Sequence, residues 1–184
     1  VGSEMCIRDS YLTPPCVGIA YIDGFDVGRQ TGRLAVLDYQ EGCYTNQGLY
    51  IADKDGNNKV LFLDMKKDPN WCGVQDVFWS PDEKMLALKG CYGWYTYLLV
   101  YDAMSGRALG SIYFKDQKYT LYNVTLHGWS PGGEWLLYSH YLNQPAEGVL
   151  SKIKVNTNGS IDPNSIQDVL QNVTICGATW GLLG

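Results

Sequence analysis

Two short motifs recur along this chain at nearly the same interval, and this repetition limits the possible folds more than any other feature of the sequence. Trp-Ser-Pro occurs at 79–81 and again at 129–131, and an apolar run follows each copy. A polar turn that contains glycine occurs three times, with its glycines at Gly56, Gly106 and Gly159. Because glycine readily takes the positive φ of tight hairpins, each turn predicts a β-hairpin. Two independent markers therefore divide the chain into similar units of about 50 residues.

The segments between these markers are typical of short β-strands. They alternate apolar and polar residues, they are rich in Val, Ile, Leu, Tyr and Trp, and clusters of Gly, Pro, Asn and Asp separate them. Glycine accounts for 21 of 184 residues, well above the ~7% of an average protein, as expected of a chain with many turns. Residues 165–171 are the one stretch in which the pattern allows a helical turn. The sequence therefore predicts an all-β fold.

A unit of about 50 residues with four short strands has the size of one β-propeller blade. The Trp-Ser-Pro strand followed by apolar alternation resembles the TolB-type, WD-like propeller repeat, and the resemblance covers roughly residues 16–184. It implies that residues 14–184 form a partial β-propeller of four-stranded antiparallel blades. These blades are expected at about 16–65, 72–116 and 122–172, with the start of a further blade at 174–184.

Three blades and the start of a fourth are fewer than most closed rings contain, since propellers typically have about four to eight. The chain is therefore expected to be a fragment of a longer protein, with a compact four-bladed ring as the alternative. The first unit departs from the repeat, because Ile-Ala-Tyr-Ile-Asp-Gly at 19–24 stands where the Trp-Ser-Pro strand is expected. Residues 1–13 are expected to be non-native or disordered. Within them, residues 1–10 resemble translated adapter sequence and lack the features of a secretory signal peptide.

The cysteines recur at equivalent positions of the first two units. Cys16 and Cys43 flank the first two predicted strands of the first unit, and Cys72 and Cys91 flank those of the second. Residues at the open end of a hairpin lie side by side, so a slip of one residue or a bulge would bring each pair within disulfide distance. The sequence therefore predicts the disulfides Cys16–Cys43 and Cys72–Cys91, with isolated buried thiols as the alternative. Cys176 would open the next pair.

Paired cysteines indicate an oxidising compartment, so an extracytoplasmic location, periplasmic or secreted, is expected. Glycosylation sequons at 123–125 and 172–174 point the same way. The net charge of −5 argues against nucleic acid as a partner, and no apolar run approaches the ~18 residues needed for membrane insertion. With no close cysteine pair and only two histidines, neither a metal site nor a cofactor is expected.

Three local patterns imitate functional sites. Residues 128–132 match the G-x-S-x-G nucleophile elbow, but Pro131 has no N–H to serve as an oxyanion donor and a strand pattern follows instead of a helix. The acidic loop 53–57 lacks the full ligand spacing of a calcium loop and is interpreted as a hairpin turn. His127 precedes Trp129 by two residues and is expected to approach the central channel in a structural role. No catalytic residue is predicted.

The loops on one face of the predicted propeller are rich in aromatic residues. These loops join successive blades, or the second and third strands within a blade. Aromatic side chains offer rigid contact area for a peptide or a sugar, although they can also cover the disulfides and the blade ends. The candidate ligand-binding residues are Trp71, Tyr92, Trp94, Tyr95, Tyr119, Tyr122, His140 and Tyr141.

Two functions are compatible with these observations. The first is a non-catalytic β-propeller binding or scaffold module that recognises a protein, peptide or glycan through its aromatic loop face. The alternative is the gating propeller of a secreted serine peptidase of the prolyl-oligopeptidase kind, whose catalytic domain lies outside this chain. A downstream G-x-S-x-G followed by Asp and His would favour the peptidase, whereas a protein that ends after six to eight blades would favour the binding module.

Overall fold

The computed structural model describes residues 20–40, 48–64, 71–92, 95–114, 124–141, 148–173, 178 and 180. These segments form three antiparallel sheets of four strands each, in which strands that are consecutive in sequence pair with one another. The first sheet contains β1 (Ala20–Val27), β2 (Leu34–Gln40), β3 (Gly48–Ala52) and β4 (Val60–Asp64). The second sheet contains β5 (Trp71–Trp79), β6 (Met85–Tyr92), β7 (Tyr95–Asp102) and β8 (Ala108–Phe114). The third sheet contains β9 (Val124–Trp129), β10 (Trp135–Tyr141), β11 (Gly148–Val155) and β12 (Ile161–Val173).

This arrangement confirms the predicted fold class, an all-β propeller fragment built from four-stranded antiparallel blades. Residues 165–171, in which the sequence pattern allows a helical turn, lie within β12 instead. Pairing with β11 holds this polar segment extended, and three register shifts along the pair accommodate its irregular pattern. None of the described segments forms a helix of the length and apolarity that crossing a membrane requires.

Two apolar cores join the three sheets face to face. Strand β7 contributes to both of them, with Leu99 and Tyr101 in the core towards the first sheet and Leu98 and Val100 in the core towards the third. Successive side chains of a strand point to opposite faces, so a sheet covered on both sides needs apolar residues at every position. This explains why residues 97–101 form an uninterrupted apolar run.

The first strand of each sheet lies next to the first strand of the following sheet. Strand β1 packs against β5, and β5 packs against β9. These three inner strands therefore line one side of the assembly, which is the side that faces the central channel in a propeller.

The three glycine-containing turns are hairpins, as predicted. They connect β3 to β4, β7 to β8 and β11 to β12, and Gly56, Gly106 and Gly159 have φ values of 76°, 68° and 82°. In the acidic loop, Oδ1 of Asp53 accepts the N–H of Asn57 at 2.8 Å. The carboxylate closes its own turn, which agrees with the interpretation of this loop as a plain hairpin.

The first sheet shows how the first unit departs from the repeat. Its hairpin register places Val27 where the second sheet has Trp79, at the last strand position before the turn. The strand expected at 19–24 therefore continues to Val27, and the turn follows at 28–33. Because valine occupies this position, the first unit lacks the tryptophan by which the other two units are recognised.

Candidate functional site

One end of the second sheet carries a row of the predicted aromatic residues. Trp71 at the start of β5 pairs with Tyr92 at the end of β6, and Tyr92 pairs in turn with Tyr95 at the start of β7. Three of the eight candidates thus lie on adjacent strands at the same end of one sheet. The backbone positions of Trp71 and Tyr92 are described, whereas their side chains lie outside the described part of the structure.

A fourth aromatic residue, Tyr113 of β8, extends this row. The Tyr95 side chain is 40% exposed, and its ring lies edge-on to that of Tyr113 with 5.9 Å between centroids. Tyr113 is 48% exposed and also contacts the Tyr97 ring at 5.7 Å. Tyr113 was not among the predicted candidates, which were all placed in loops, because it lies within a strand. The signal that points to it is its cross-strand pairing with Tyr97. We call Trp71, Tyr92, Tyr95 and Tyr113 the aromatic end.

The third sheet places its candidates differently. His140 lies in β10 and is buried, and its ring stacks on that of Tyr138 with 5.9 Å between centroids. Burial lowers the pKa of His140, while the charge of Asp168 acts in the opposite direction. His140 therefore belongs to the interior of this sheet. The candidates that lie outside the described residues or side chains are Trp94, Tyr119, Tyr122 and Tyr141.

A bulge occurs beside one of the two predicted disulfides. Gly73 pairs with Cys91, and the register shifts between Trp71 and Gly73, so Cys72 is the extra residue of the bulge. Such an irregularity at the end of the hairpin is what the Cys72–Cys91 pairing requires. Outside the described part lie the side chains of this pair and the residues Cys16, Cys43 and Cys176. Both disulfides stay predictions.

A cavity of about 360 Å³ lies at the turn ends of the inner strands β1, β5 and β9. Four of the residues that line it are aromatic, namely Phe78, Trp79, Trp129 and Trp180. Nε1–H of Trp129 donates to the carbonyl of Phe78 at 3.1 Å, which fixes one wall. Gly128 has a φ of +114°, and a Cβ at this position would lie 3.3 Å from the Phe78 ring, so glycine is required here. We call this space the inner cavity.

Asp26, Arg29 and His127 supply the ionisable side chains of the inner cavity. Oδ1 of Asp26 accepts the N–H of Val27 at 2.9 Å, and Oδ2 accepts the N–H of Trp79 at 2.7 Å. Burial raises the pKa of Asp26 above 3.8, although both hydrogen bonds and the charge of Arg29 act to lower it. The two bonds hold the carboxylate in one orientation between β1 and β5.

His127 lies in the inner strand β9, lines the inner cavity and is half-buried. Its Nε2 lies 2.8 Å from the hydroxyl oxygen of Ser139. Burial lowers the pKa of His127 below 6.5, so the ring is neutral at pH 7. No sequence pattern indicates this partner, because Ser139 lies on the neighbouring strand β10 and not beside His127 in the chain. Since Ser139 is itself buried, its hydroxyl orients the imidazole and is not presented to solvent as a nucleophile.

The segment that matched a nucleophile elbow is a hairpin turn. Ser130 donates its N–H to the carbonyl of Trp135, and its hydroxyl oxygen accepts the Trp135 N–H at 3.1 Å. Strand β10 follows this turn, whereas a nucleophile elbow is followed by a helix. Among the described residues, no three His, Cys, Asp or Glu side chains lie close enough together to hold a metal ion.

A wider cleft of about 760 Å³ lies between the turns of the second and third sheets. Charged side chains line it, and two of its carboxylates are engaged in their own turns. Nζ of Lys84 lies 3.5 Å from a carboxylate oxygen of Asp82, and Oδ1 of Asp102 accepts the N–H of Ser105 at 2.7 Å. Arg107 is exposed at this cleft and does not line the inner cavity.

No protein-family model matches the chain, and no curated protein matches it. Solved structures do match. TolB from Acinetobacter baumannii is 19% identical, covers 79% of this chain and 32% of its own length, and has a TM-score of 0.54. A chain of the nidogen/laminin complex is 12% identical, with 82% of this chain and 48% of that chain covered and a TM-score of 0.54. A structure from a study of two prolyl endopeptidases is 17% identical and has a TM-score of 0.53. The match covers 83% of this chain and 23% of that chain.

At these identities the likeness establishes the fold alone. The chain spans between 23% and 48% of the length of these three structures. It is similar in fold to TolB, as the repeat pattern suggested, and equally to a peptidase structure. The three sheets thus form part of a β-propeller architecture that proteins of different activities share.

Proposed function

We propose that this chain is part of a β-propeller binding module that holds a protein, peptide or glycan on the aromatic end of the second sheet. The observation that carries the proposal is the alignment of Trp71, Tyr92 and Tyr95 on three adjacent strands, continued by Tyr113 on the fourth. No residue of the described part is assigned a catalytic role.

The physical basis is the low cost of ordering aromatic side chains. A tyrosine has two side-chain torsions, so it offers a large contact area and loses little conformational entropy on binding. Contacts between Tyr113 and both Tyr95 and Tyr97 restrict these rings further before any ligand arrives. Exposed aromatic rings that are already ordered are typical of binding hot spots.

Replacing two exposed rings tests this proposal. We expect the double variant Tyr95→Ala, Tyr113→Ala to reduce binding to ligands selected from a glycan array and a peptide-display library by at least about tenfold, the effect of losing a hot spot. Phe25→Ala is the matched control, because Phe25 is aromatic, lies on the first sheet and is also 48% exposed. If the double variant and the control bind the selected ligands equally well, the aromatic end is not the binding surface.

We also propose an extracytoplasmic location, on the basis of the Cys72–Cys91 pairing that the bulge in β5 favours. Alkylation of the folded, unreduced protein followed by peptide mapping tests it. Both cysteines are expected to resist alkylation until a reductant is added. Labelling of Cys72 without reductant would contradict the pairing and the location together.

The gating propeller of a serine peptidase shares this fold, so the three sheets do not discriminate between the two functions. The discriminating observation is the sequence that follows the chain in the full reading frame. A strand, G-x-S-x-G and helix, followed by Asp and His, would replace the binding proposal with the peptidase one.

A further inference from the structure

The inner cavity has the composition of a small-ligand site, and it lies apart from the aromatic end. Its volume of about 360 Å³ falls at the lower end of the range for ligand pockets and suits one small ring better than a polymer. Arg29 and Pro131 are exposed at its border, so the cavity reaches the surface.

The lining of the cavity is rich in tryptophan, and two of its indoles carry buried donors. Trp79, Trp129 and Trp180 recur at almost the same interval along the chain, and all three line the cavity. The Nε1–H groups of Trp79 and Trp180 are buried and have no hydrogen-bond acceptor among the described residues. A buried donor without an acceptor is costly, so an oxygen atom of a ligand would stabilise this arrangement.

The polar groups of the cavity balance each other in charge. Asp26 presents a carboxylate that two main-chain N–H groups hold in place, and an ionised carboxylate keeps further lone pairs that can accept hydroxyl protons. Arg29 provides N–H donors, and His127 provides a neutral ring. A bound anion would lie beside Asp26 and a bound cation beside Arg29, so neither charge is favoured alone.

We propose that the inner cavity binds a neutral monosaccharide ring. The tryptophan faces pack on the apolar C–H face of the sugar, Asp26 accepts from its hydroxyl groups and Arg29 donates to them. A neutral, hydroxyl-rich ring with one apolar face satisfies the aromatic walls, the carboxylate and the guanidinium together.

Titration of the isotope-labelled protein with methyl glucoside, methyl galactoside and N-acetylglucosamine tests the proposal. Ligands of this size are expected to bind with Kd values of about a millimolar. At least one of the three sugars is expected to shift two or more indole N–H resonances in the nuclear magnetic resonance spectrum. If none of the sugars does so, or if the zwitterion glycine causes the same shifts, the proposal is overturned.

The variant Arg29→Gln sharpens this test, because Arg29 is exposed and its replacement is expected to change stability by less than about 0.5 kcal/mol. Loss of a charged hydrogen bond to the sugar is expected to weaken binding about tenfold. Arg107→Gln is the control, since Arg107 is also an exposed arginine and does not line the inner cavity. Equal affinities of the two variants for the sugar would overturn the proposal.

Discussion

The two junctions between neighbouring sheets are built on different chemistry. In the first junction, between the first and second sheets, the buried carboxylate of Glu83 accepts hydrogen bonds from the N–H of Gln30 and from both the N–H and the hydroxyl of Thr31. Nε2 of Gln30 also donates to the carbonyl of Pro81 at 2.7 Å. A carboxylate on one turn thus holds the neighbouring turn in place.

The second junction, between the second and third sheets, lacks this carboxylate. Gly133 occupies the same turn position as Glu83, because the N–H of each residue donates to the carbonyl three residues earlier. Both residues have a positive φ, 75° for Gly133 and 55° for Glu83. The hydrogen bond from the Trp129 indole to Phe78 joins these two sheets instead. The backbone of the turn is therefore repeated, while the group that ties it to its neighbour is not.

The repeated tryptophan illustrates the same point. The ring of Trp79 lies 4.8 Å from the guanidinium carbon of Arg33, a cation–π contact within the first junction. Trp129 packs in the apolar core of the second junction, where its indole donates to a carbonyl. A residue that recurs in the sequence keeps its place in the strand, but its partner depends on what the preceding sheet offers.

The largest effect is expected from Trp129→Ala in the second junction. Removing this ring leaves a cavity in the apolar core, which should lower the free energy of unfolding by about 3–5 kcal/mol. At the equivalent position of the first sheet, Val27 is only partly buried, so Val27→Ala should cost about 1 kcal/mol. Urea unfolding followed by circular dichroism measures both. Equal losses would show that the two positions are not energetically different.

Glu83→Gln is expected to have the next largest effect. The amide leaves at least one of the three donors of the first junction poorly satisfied, at a cost of about 1–3 kcal/mol. The matched control is Glu134→Gln, an exposed glutamate one position beyond Gly133, for which a change below about 0.5 kcal/mol is expected. If the two substitutions cost the same in urea unfolding, Glu83 does not hold the first junction.

The repeats show how much the sequence could predict. The hairpins follow from local chemistry, since glycine at positive φ and alternating residues act within a few positions of each other. The Glu83 contact with Thr31 joins turns that lie more than fifty residues apart, and no periodic pattern announces it. The Ser139 partner of His127 was missed for a related reason, because strand pairing and not sequence proximity creates it. Contacts within a hairpin are thus readable from the sequence, and contacts between distant segments are not.

Acid titration should affect the two junctions in separate steps. Burial lowers the pKa of His127 and of His140 below 6.5. The stability that the two neutral rings contribute is therefore full above pH 6.5, and it is lost as the pH falls through their folded-state pKa values. Burial acts to raise the pKa of Glu83, but hydrogen bonds from Thr31 and Gln30 outweigh it and hold the pKa below 4.5. The stability that the ionised Glu83 contributes is therefore lost only below pH 4.5.

The Glu83→Gln variant separates these steps when urea midpoints are measured across this pH range. It should keep the loss of stability that begins below pH 6.5 and reduce the further loss below pH 4.5. An unchanged loss below pH 4.5 in the variant would assign that step to other carboxylates.

The smallest effect is expected from Asp26→Asn in the first junction. Burial raises the pKa of Asp26, so its ionised form is disfavoured in the fold, and the stability linked to it is full below 3.8 and is lost as the pH rises. An asparagine oxygen can still accept the Trp79 N–H, so stability at pH 7 should stay within about 0.5 kcal/mol or rise slightly.

Asp76 also accepts an N–H across its junction, from Leu126 at 3.1 Å, but it pairs across the strands with the buried Lys89. Asp76→Asn should therefore cost more, because it leaves a buried ammonium group opposite an uncharged amide. If thermal denaturation at pH 7 shows the reverse order, charge at the first junction stabilises the fold and the contrast between the two carboxylates is lost.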